Sequence, residues 1–71
     1  MSHEPSVIRM ANDIARNQAH LPTADAAALI ARHIRSFWDP QMRAELARLV
    51  AADPSSVSPL VVEALSDLAR M

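Results

Sequence analysis

The 71-residue sequence has no cysteine, glycine, tyrosine or lysine. Without cysteine the chain can form neither a disulfide nor a thiolate metal site. Without glycine it lacks the flexible loops that commonly bind phosphate groups, and without lysine it cannot form a Schiff base. Aromatic residues are scarce as well, because Phe37 and Trp38 are the only two and they are adjacent. These absences exclude several common kinds of active site.

The short length limits the chain to one domain, which we predict over residues 1–71 with residues 1–5 and 69–71 frayed. A core of this size rarely contributes more than about 3–5 kcal/mol of stability without an additional constraint. Disulfides are excluded, so association with another chain is the remaining common constraint. We therefore expect a partner protein.

The charge balance disfavours two classes of partner. The formal net charge is −1, and all seven basic residues are arginine. Broad electrostatic binding to nucleic acid or to an anionic membrane needs a strongly basic face. No apolar run approaches the roughly 18 residues of a membrane span. The N-terminal segment MSHEPSVIRM lacks the basic start and continuous apolar stretch of a signal peptide, so we expect a cytoplasmic protein without nucleic-acid or membrane partners.

Apolar residues recur at steps of three and four, a spacing typical of amphipathic helices. The first predicted helix begins at Pro5 or Ser6 and ends at Ala19, because the residue before Pro22 disfavours helical angles. Its polar side includes Asn12. Its apolar face comprises Val7, Ile8, Ala11, Ile14, Ala15 and Ala19.

The second predicted helix runs from Thr23, as its N-cap, to about Phe37. Asp25 in the first turn complements the helix dipole. Its predicted apolar face comprises Ala26, Leu29, Ile30, His33, Ile34 and Phe37.

Two Asp-Pro or Ser-Pro pairs predict the starts of the remaining helices. Asp39-Pro40 and Ser58-Pro59 each combine an N-cap residue with a proline at the first helical position, and Asp53-Pro54 ends the third helix. The fold class is therefore all-α, a small bundle of four short helices joined by short Pro-containing turns. The predicted stripes are Met42, Leu46, Leu49 and Val50 on the third helix, with Arg43 facing out, and Val61, Val62, Leu65, Leu68 and Ala69 on the fourth.

No catalytic, cofactor-binding or metal-binding residue is predicted. The histidines are His3, His20 and His33, and no two lie three or four residues apart, as a pair of metal ligands on one helix face would. Two interpretations of His33 are favoured over a metal-binding or catalytic role. It is either a partly buried core or interface histidine with one hydrogen bond, or a polar contact to a partner subunit.

The adjacent aromatic residues also leave two interpretations open. Phe37 continues the apolar face of the second helix, whereas Trp38 lies about 100° further round. Trp38 either closes the small core or lies at a subunit interface, where Trp and Arg are typical hot-spot residues. Arg35, Trp38 and Arg43 around one corner fit the second pattern. We expect Phe37 to belong to the fold and Trp38, with these arginines, to contact a partner.

Three segments carry a resemblance to a known family. IRMANDIA (with Met10, Ala11 and Asn12), IARHIRSFWDPQMRAEL and VSPLVVEAL occur in this order over residues 7–68. Together they resemble the small delta subunit of cytoplasmic, NAD-dependent, molybdenum-containing formate dehydrogenases. The FWDPxMR string, residues 37–43, is the most specific part.

The resemblance implies a function within a complex. Such complexes oxidise formate to CO₂ and can run in reverse. The alpha subunit holds a bis-pterin molybdenum cofactor and iron–sulfur clusters, and the beta and gamma subunits carry FMN, further clusters and the NAD site. The resemblance implies that the delta subunit binds no cofactor itself and is a non-catalytic accessory chain bound to the alpha subunit. We expect the partner-binding residues to be His33, Arg35, Phe37, Trp38, Asp39, Pro40, Met42 and Arg43.

Two other functions remain as alternatives. Helices two and three around SFWDP could form a helix-turn-helix, which would make the chain a small DNA-binding regulator. The chain could also be a free-standing assembly chaperone that leaves the complex after maturation.

Overall fold

Four α-helices and one 3₁₀ turn form the part of the chain that the computed structural model describes, residues 4–70. In chain order these are α1 (Ser6–Asn17), α2 (Thr23–Phe37), α3 (Pro40–Ala52), the 3₁₀ turn (Pro54–Ser56) and α4 (Pro59–Arg70). Residues 4–70 contain no strand. The prediction of an all-α bundle of four short helices is confirmed.

The two predicted helix starts at prolines 40 and 59 are confirmed by their capping contacts. The Asp39 carboxylate accepts a hydrogen bond of 2.8 Å from the backbone N–H of Met42. The Ser58 hydroxyl accepts one of 3.1 Å from the N–H of Leu60. Each cap satisfies one of the N–H groups that a helix start leaves without an intrahelical partner.

The turn between α1 and α2 differs from the prediction at both ends. The last residue of α1 is Asn17 rather than Ala19, because the N–H groups of residues 18, 19 and 21 bond three residues back and tighten the chain into turns. The prediction of Thr23 as an N-cap is wrong. Pro22 occupies the cap position without a side-chain hydrogen bond, and its carbonyl accepts the N–H of Ala26 at 2.9 Å, so Thr23 is already helical.

The core lies where α2 packs against α4, and α1 lies across α2, α3 and α4. Every buried residue of the described chain is apolar. Small alanines on α2 and α4 let these helix axes approach closely, since interaxial distance depends on the side chains at the contact. The largest fully buried side chains are Ile30, Ile34, Leu46 and Val61.

The buried face of α2 is rotated from the predicted one. Leu29, His33 and Phe37 were expected on the apolar face, but all three are exposed. The helix carries two candidate apolar stripes, and the side with Ala27 and Ala31 is the one buried. The buried residues of α2 are Ala26, Ala27, Ile30, Ala31 and Ile34.

Smaller differences concern the helix faces elsewhere. Ala19, Val62 and Ala69 were assigned to apolar faces and are exposed, while Arg43 was expected to face out and is half-buried. The helix α4 remains helical through Arg70. Residues 1–3, including His3, and residue 71 lie outside the described residues, and they make up half of the eight positions predicted to fray.

Candidate functional site

The eight residues predicted to bind a partner do not form one surface. His33 and Phe37 line a groove between α1 and α2, whereas Pro40 and Arg43 line a second groove between α3 and α4. Arg35 is exposed on α2 and is not among the residues that line either groove. The predicted residues therefore lie on different sides of the α2–α3 corner, which residues 38 and 39 form between the two helices. The remaining three, Trp38, Asp39 and Met42, have structural roles described below.

Trp38 closes the core and is only 5% exposed. It caps the C-terminus of α2, where its N–H donates to the carbonyl of Ile34 at 2.9 Å, and its backbone is extended (φ −96°, ψ 139°). The chain leaves the helix at this residue, so the 100° helical step no longer determines where the indole goes. The expectation that Trp38 is partly exposed and that Phe37 belongs to the core is wrong for both side chains. Of the two interpretations of Trp38, the structure shows the core plug.

Phe37 is the most exposed large apolar residue of the described chain, at 76%. Its ring packs on the imidazole of His33 with centroids 4.9 Å apart and an interplanar angle of 38°. The two residues are one helical turn apart, and Leu29 lies one turn before His33. Leu29, His33 and Phe37 thus form a continuous exposed row along α2, which we call the α2 row.

The α2 row borders an open groove of about 320 Å³ between α1 and α2, the α1/α2 groove. Arg32 and Ser36 add a cation and a hydroxyl from α2, and the other side is formed by Ile14 of α1 and by Gln18, the residue directly after α1. No carboxylate is among these lining residues. Ile14 is half-buried and packs against the core, so the lining of the groove on the α1 side is continuous with the hydrophobic core.

Asp39 and Met42 build the start of α3. Asp39 is exposed and holds the first turn through its bond to the Met42 N–H, while the Met42 side chain is half-buried against the core. Pro40 occupies the first position of the helix. The Asp-Pro-x-Met part of the specific sequence string is thus explained by helix capping and core packing.

Arg43 lies in the α3/α4 groove, also about 320 Å³, whose other walls are mostly apolar. Its Nε atom is shielded from solvent and has no hydrogen-bond partner within residues 4–70. The half-buried guanidinium lies beside Leu65 and Leu68 of α4, which also pack on the core. The aliphatic part of an arginine side chain can cover apolar surface in this way.

Asn12 has a structural role that the sequence did not reveal. Its side-chain N–H donates to the carbonyl of Ser56 at 3.1 Å, and its side-chain oxygen accepts the N–H of Ser58 at 2.8 Å. These two bonds join α1 to the segment before α4, more than forty residues away in sequence. Periodicity assigned Asn12 to the polar side of α1. The only sequence signal was its place in the Met-Ala-Asn element, which carries no information about a contact so distant in the chain.

Groups suited to metal binding or membrane insertion are absent from the part of the chain that is described. No cluster of three or more His, Cys, Asp or Glu residues in residues 4–70 could hold a metal ion. Among the same residues, no helix has the length and apolar character needed to cross a membrane.

Comparisons with known proteins agree with the resemblance seen in the sequence. Neither the search of curated proteins nor the search of solved structures gave a match. A family model, described as "NADH-dependant formate dehydrogenase delta subunit FdsD", matches residues 6–65. The match begins at the first residue of α1 and extends to Leu65 in α4, so it includes the α2 row, the α2–α3 corner and both partners of the Asn12 bridge. The chain belongs to the delta-subunit family of NAD-dependent formate dehydrogenases.

Proposed function

We propose that this chain is a non-catalytic accessory subunit that binds the alpha subunit of a cytoplasmic, NAD-dependent molybdenum formate dehydrogenase. It supports assembly, cofactor loading or stability of the formate-oxidising and CO₂-reducing complex. In this proposal the chain binds no cofactor itself. The bis-pterin molybdenum cofactor, iron–sulfur clusters, FMN and NAD are bound by the alpha, beta and gamma subunits.

The exposed α2 row is the structural observation that carries this proposal. Phe37 is three-quarters exposed although the core of so small a protein would gain from burying it. Transfer of a phenylalanine side chain from water to an apolar site is favourable by about 1.5–3 kcal/mol. A partner that covers Phe37 would recover most of this free energy. The α2 row therefore replaces Trp38 as the proposed centre of the contact with the alpha subunit.

The His33–Phe37 ring pair strengthens Phe37 as an anchor. A ring that already packs on a neighbour loses less rotational freedom when a partner covers it. Aromatic residues are enriched in the cores of protein interfaces for a related reason, since they bury a large area with few rotatable bonds. Of the two interpretations of His33, the exposed position favours the contact to a partner subunit.

The other predicted partner-binding residues have smaller parts in this proposal. Arg35 is exposed in the last turn of α2, roughly 160° round the helix from His33 and Phe37, and is proposed as a separate contact outside the α2 row. Asp39, Pro40 and Met42 keep the corner folded, which positions the end of α2. Arg43 is proposed to contact the partner only if the partner also covers the α3/α4 groove.

Co-purification tests the proposal directly. The chain, carrying an affinity tag, is co-expressed with the alpha, beta and gamma subunits and purified under gentle conditions. The expected result is a complex with a fixed stoichiometry. Recovery of the tagged chain alone would contradict a permanent subunit, and its transient recovery with an alpha subunit that lacks molybdenum would identify it as a chaperone that leaves after maturation.

A pair of variants tests the proposed surface in the same experiment. Phe37→Ala is expected to weaken recovery of the alpha subunit, because it removes the most exposed apolar side chain of the α2 row. Val62→Ala is the matched control, since Val62 is also an exposed apolar residue but lies on α4, outside the α1/α2 groove. Equal recovery with the two variants would show that the α2 row is not the contact.

A further inference from the structure

The α1/α2 groove differs in charge from the rest of the molecule. The chain as a whole has a net charge of −1, yet Arg32 is the only formally charged residue that lines the groove. Arg32 is exposed and forms no ion pair with any residue in positions 4–70. Arg16 lies between the groove residues Ile14 and Gln18 in the sequence, but its guanidinium is already paired with the Asp13 carboxylate at 2.8 Å. The groove therefore presents an unneutralised positive charge beside an apolar row.

The shape of the α2 row suits a helix. Leu29, His33 and Phe37 are spaced by four residues, so they lie along one side of α2 over roughly 12 Å, or about two helical turns. Ile14 lines the opposite wall. Apolar anchors at such spacing, bordered by a second helix, are typical of grooves that receive an amphipathic helix from a partner.

Charge complementarity decides among the possible occupants. A second copy of this chain would bring Arg32 and its symmetry mate to the same interface without a carboxylate from either groove, and like charges at an interface oppose association. Nucleic acid binding relies on many phosphate contacts, and the groove offers one arginine. The apolar row of an amphipathic helix would bury Phe37, and a carboxylate on the flank of that helix would pair with the Arg32 guanidinium.

We infer that the α1/α2 groove receives an acidic amphipathic helix of the alpha subunit, with apolar residues on Leu29 and Phe37 and a carboxylate on Arg32. This inference rests on the proposed function, because it takes the alpha subunit as the partner. It adds the chemistry of the segment that the alpha subunit supplies. It also assigns to Arg32 a partner-binding role that the FWDPxMR string does not include.

A charge-reversal pair tests the electrostatic part. Arg32→Glu places a negative charge in the groove, whereas Arg9→Glu makes the same change in net charge on α1, roughly 140–180° round the helix from the groove residues. Affinity of each full-length variant for the co-expressed alpha subunit is measured at about 0.05 M and about 0.5 M NaCl. Arg32→Glu is expected to weaken binding roughly tenfold at low salt, mainly through slower association, and the difference should shrink at high salt. Arg9→Glu should remain within about twofold of the unmodified chain.

Site-specific crosslinking tests which segment occupies the groove. His33→p-benzoylphenylalanine places a photoreactive ring in the α2 row, and Val62→p-benzoylphenylalanine serves as the control on α4. Irradiation of the assembled complex followed by mass spectrometry should identify, at position 33, an alpha-subunit peptide with excess Asp and Glu and apolar residues three or four apart. A crosslink to a basic or non-helical peptide would overturn the inference.

The outcomes separate failure of the inference from failure of the proposed function. If the unmodified chain does not bind the alpha subunit, the proposed function is wrong. If it binds but Arg32→Glu and Arg9→Glu weaken binding equally, the function stands and the groove is wrong. Concentration-dependent dimerisation of the isolated chain that Phe37→Ala abolishes would assign the groove to a second copy, and salt-sensitive binding of duplex DNA that Arg32→Glu abolishes would assign it to nucleic acid. Either of these two results would overturn the inference.

Discussion

The adjacent aromatic residues provide the sharpest test of the structure, because their exposed fractions are 76% for Phe37 and 5% for Trp38. The perturbation is the pair Phe37→Ala and Trp38→Ala, each made in the full-length chain. The two substitutions remove large aromatic side chains one residue apart, at the end of the same helix. Any difference in stability between the variants therefore reports burial rather than position in the sequence.

Truncation of Trp38 is expected to cost much of the total stability. Removal of a buried Trp or Phe side chain typically costs about 3–5 kcal/mol, which combines the lost transfer free energy with the cavity left behind. A chain of 71 residues has a total unfolding free energy of about 4–11 kcal/mol at typical values per residue. Trp38→Ala should therefore leave the isolated chain partly unfolded, or lower its Tm by more than about 12 °C.

Truncation of Phe37 is expected to be almost neutral for the isolated chain. Only about a quarter of its side chain is shielded, so the transfer term is roughly 0.4–0.7 kcal/mol. Loss of the ring contact with His33 adds to this cost, but alanine is a better helix former than phenylalanine by a few tenths of a kcal/mol, which offsets part of it. The net change in unfolding free energy should stay below about 1 kcal/mol.

Urea unfolding followed by far-ultraviolet circular dichroism measures both variants, since this signal does not depend on the tryptophan. Trp38→Phe is the conservative control, because it keeps an aromatic ring in the core and should lose less stability than Trp38→Ala. A loss of stability for Phe37→Ala equal to or larger than that for Trp38→Ala would refute the burial of Trp38 and the exposure of Phe37. It would also remove the physical basis for the α2 row as a partner surface.

Two further predictions concern the hydrogen bonds that fix the bundle. Asn12→Ala should destabilise the chain by about 1–3 kcal/mol, because it breaks the bonds to Ser56 and Ser58 and leaves their partly buried backbone groups without partners. The control Asn17→Ala replaces an exposed residue at the end of the same helix and should change stability by less than about 0.5 kcal/mol. Equal effects of the two substitutions in thermal unfolding would contradict a bridging role for Asn12. Asp39→Ala should lower the unfolding free energy by about 0.5–2 kcal/mol, because it removes the N-cap of α3. Asp39→Asn retains an accepting oxygen and should lower it less. A urea midpoint that falls equally for both variants would argue against the capping role.

Local chemistry made the boundaries of α3 and α4 predictable. An Asp or Ser followed by proline satisfies an N–H of the first turn and fixes the first backbone angle, and both effects operate within three or four residues of sequence. The structure has the corresponding bonds at Asp39 and Ser58. The start of α2 was less predictable, because Pro22 takes the cap position without any side-chain bond and only the backbone geometry shows it.

The candidate site was less predictable than the fold, because it depends on which of two apolar stripes of α2 is buried. Leu29 and Phe37 are larger apolar side chains than Ala27 and Ala31, so side-chain size favours the wrong side. Close packing with α4 instead favours small side chains, and the larger ones remain at the surface. Arg32 could not be singled out from the sequence for the same reason, since its proposed role depends on the groove that the exposed stripe forms with α1.

The sequence by itself determined the helical class, the order of the four helices, the capped starts at Asp39 and Ser58, and the family resemblance carried by residues 37–43. These features depend on local spacing and on contacts between residues close in the chain. Only the tertiary structure decided that Trp38 turns into the core, that Phe37 stays at the surface and that Asn12 reaches the segment before α4. The reason is physical, because burial and long-range hydrogen bonds depend on which helices become neighbours, and no local pattern of apolar residues specifies that.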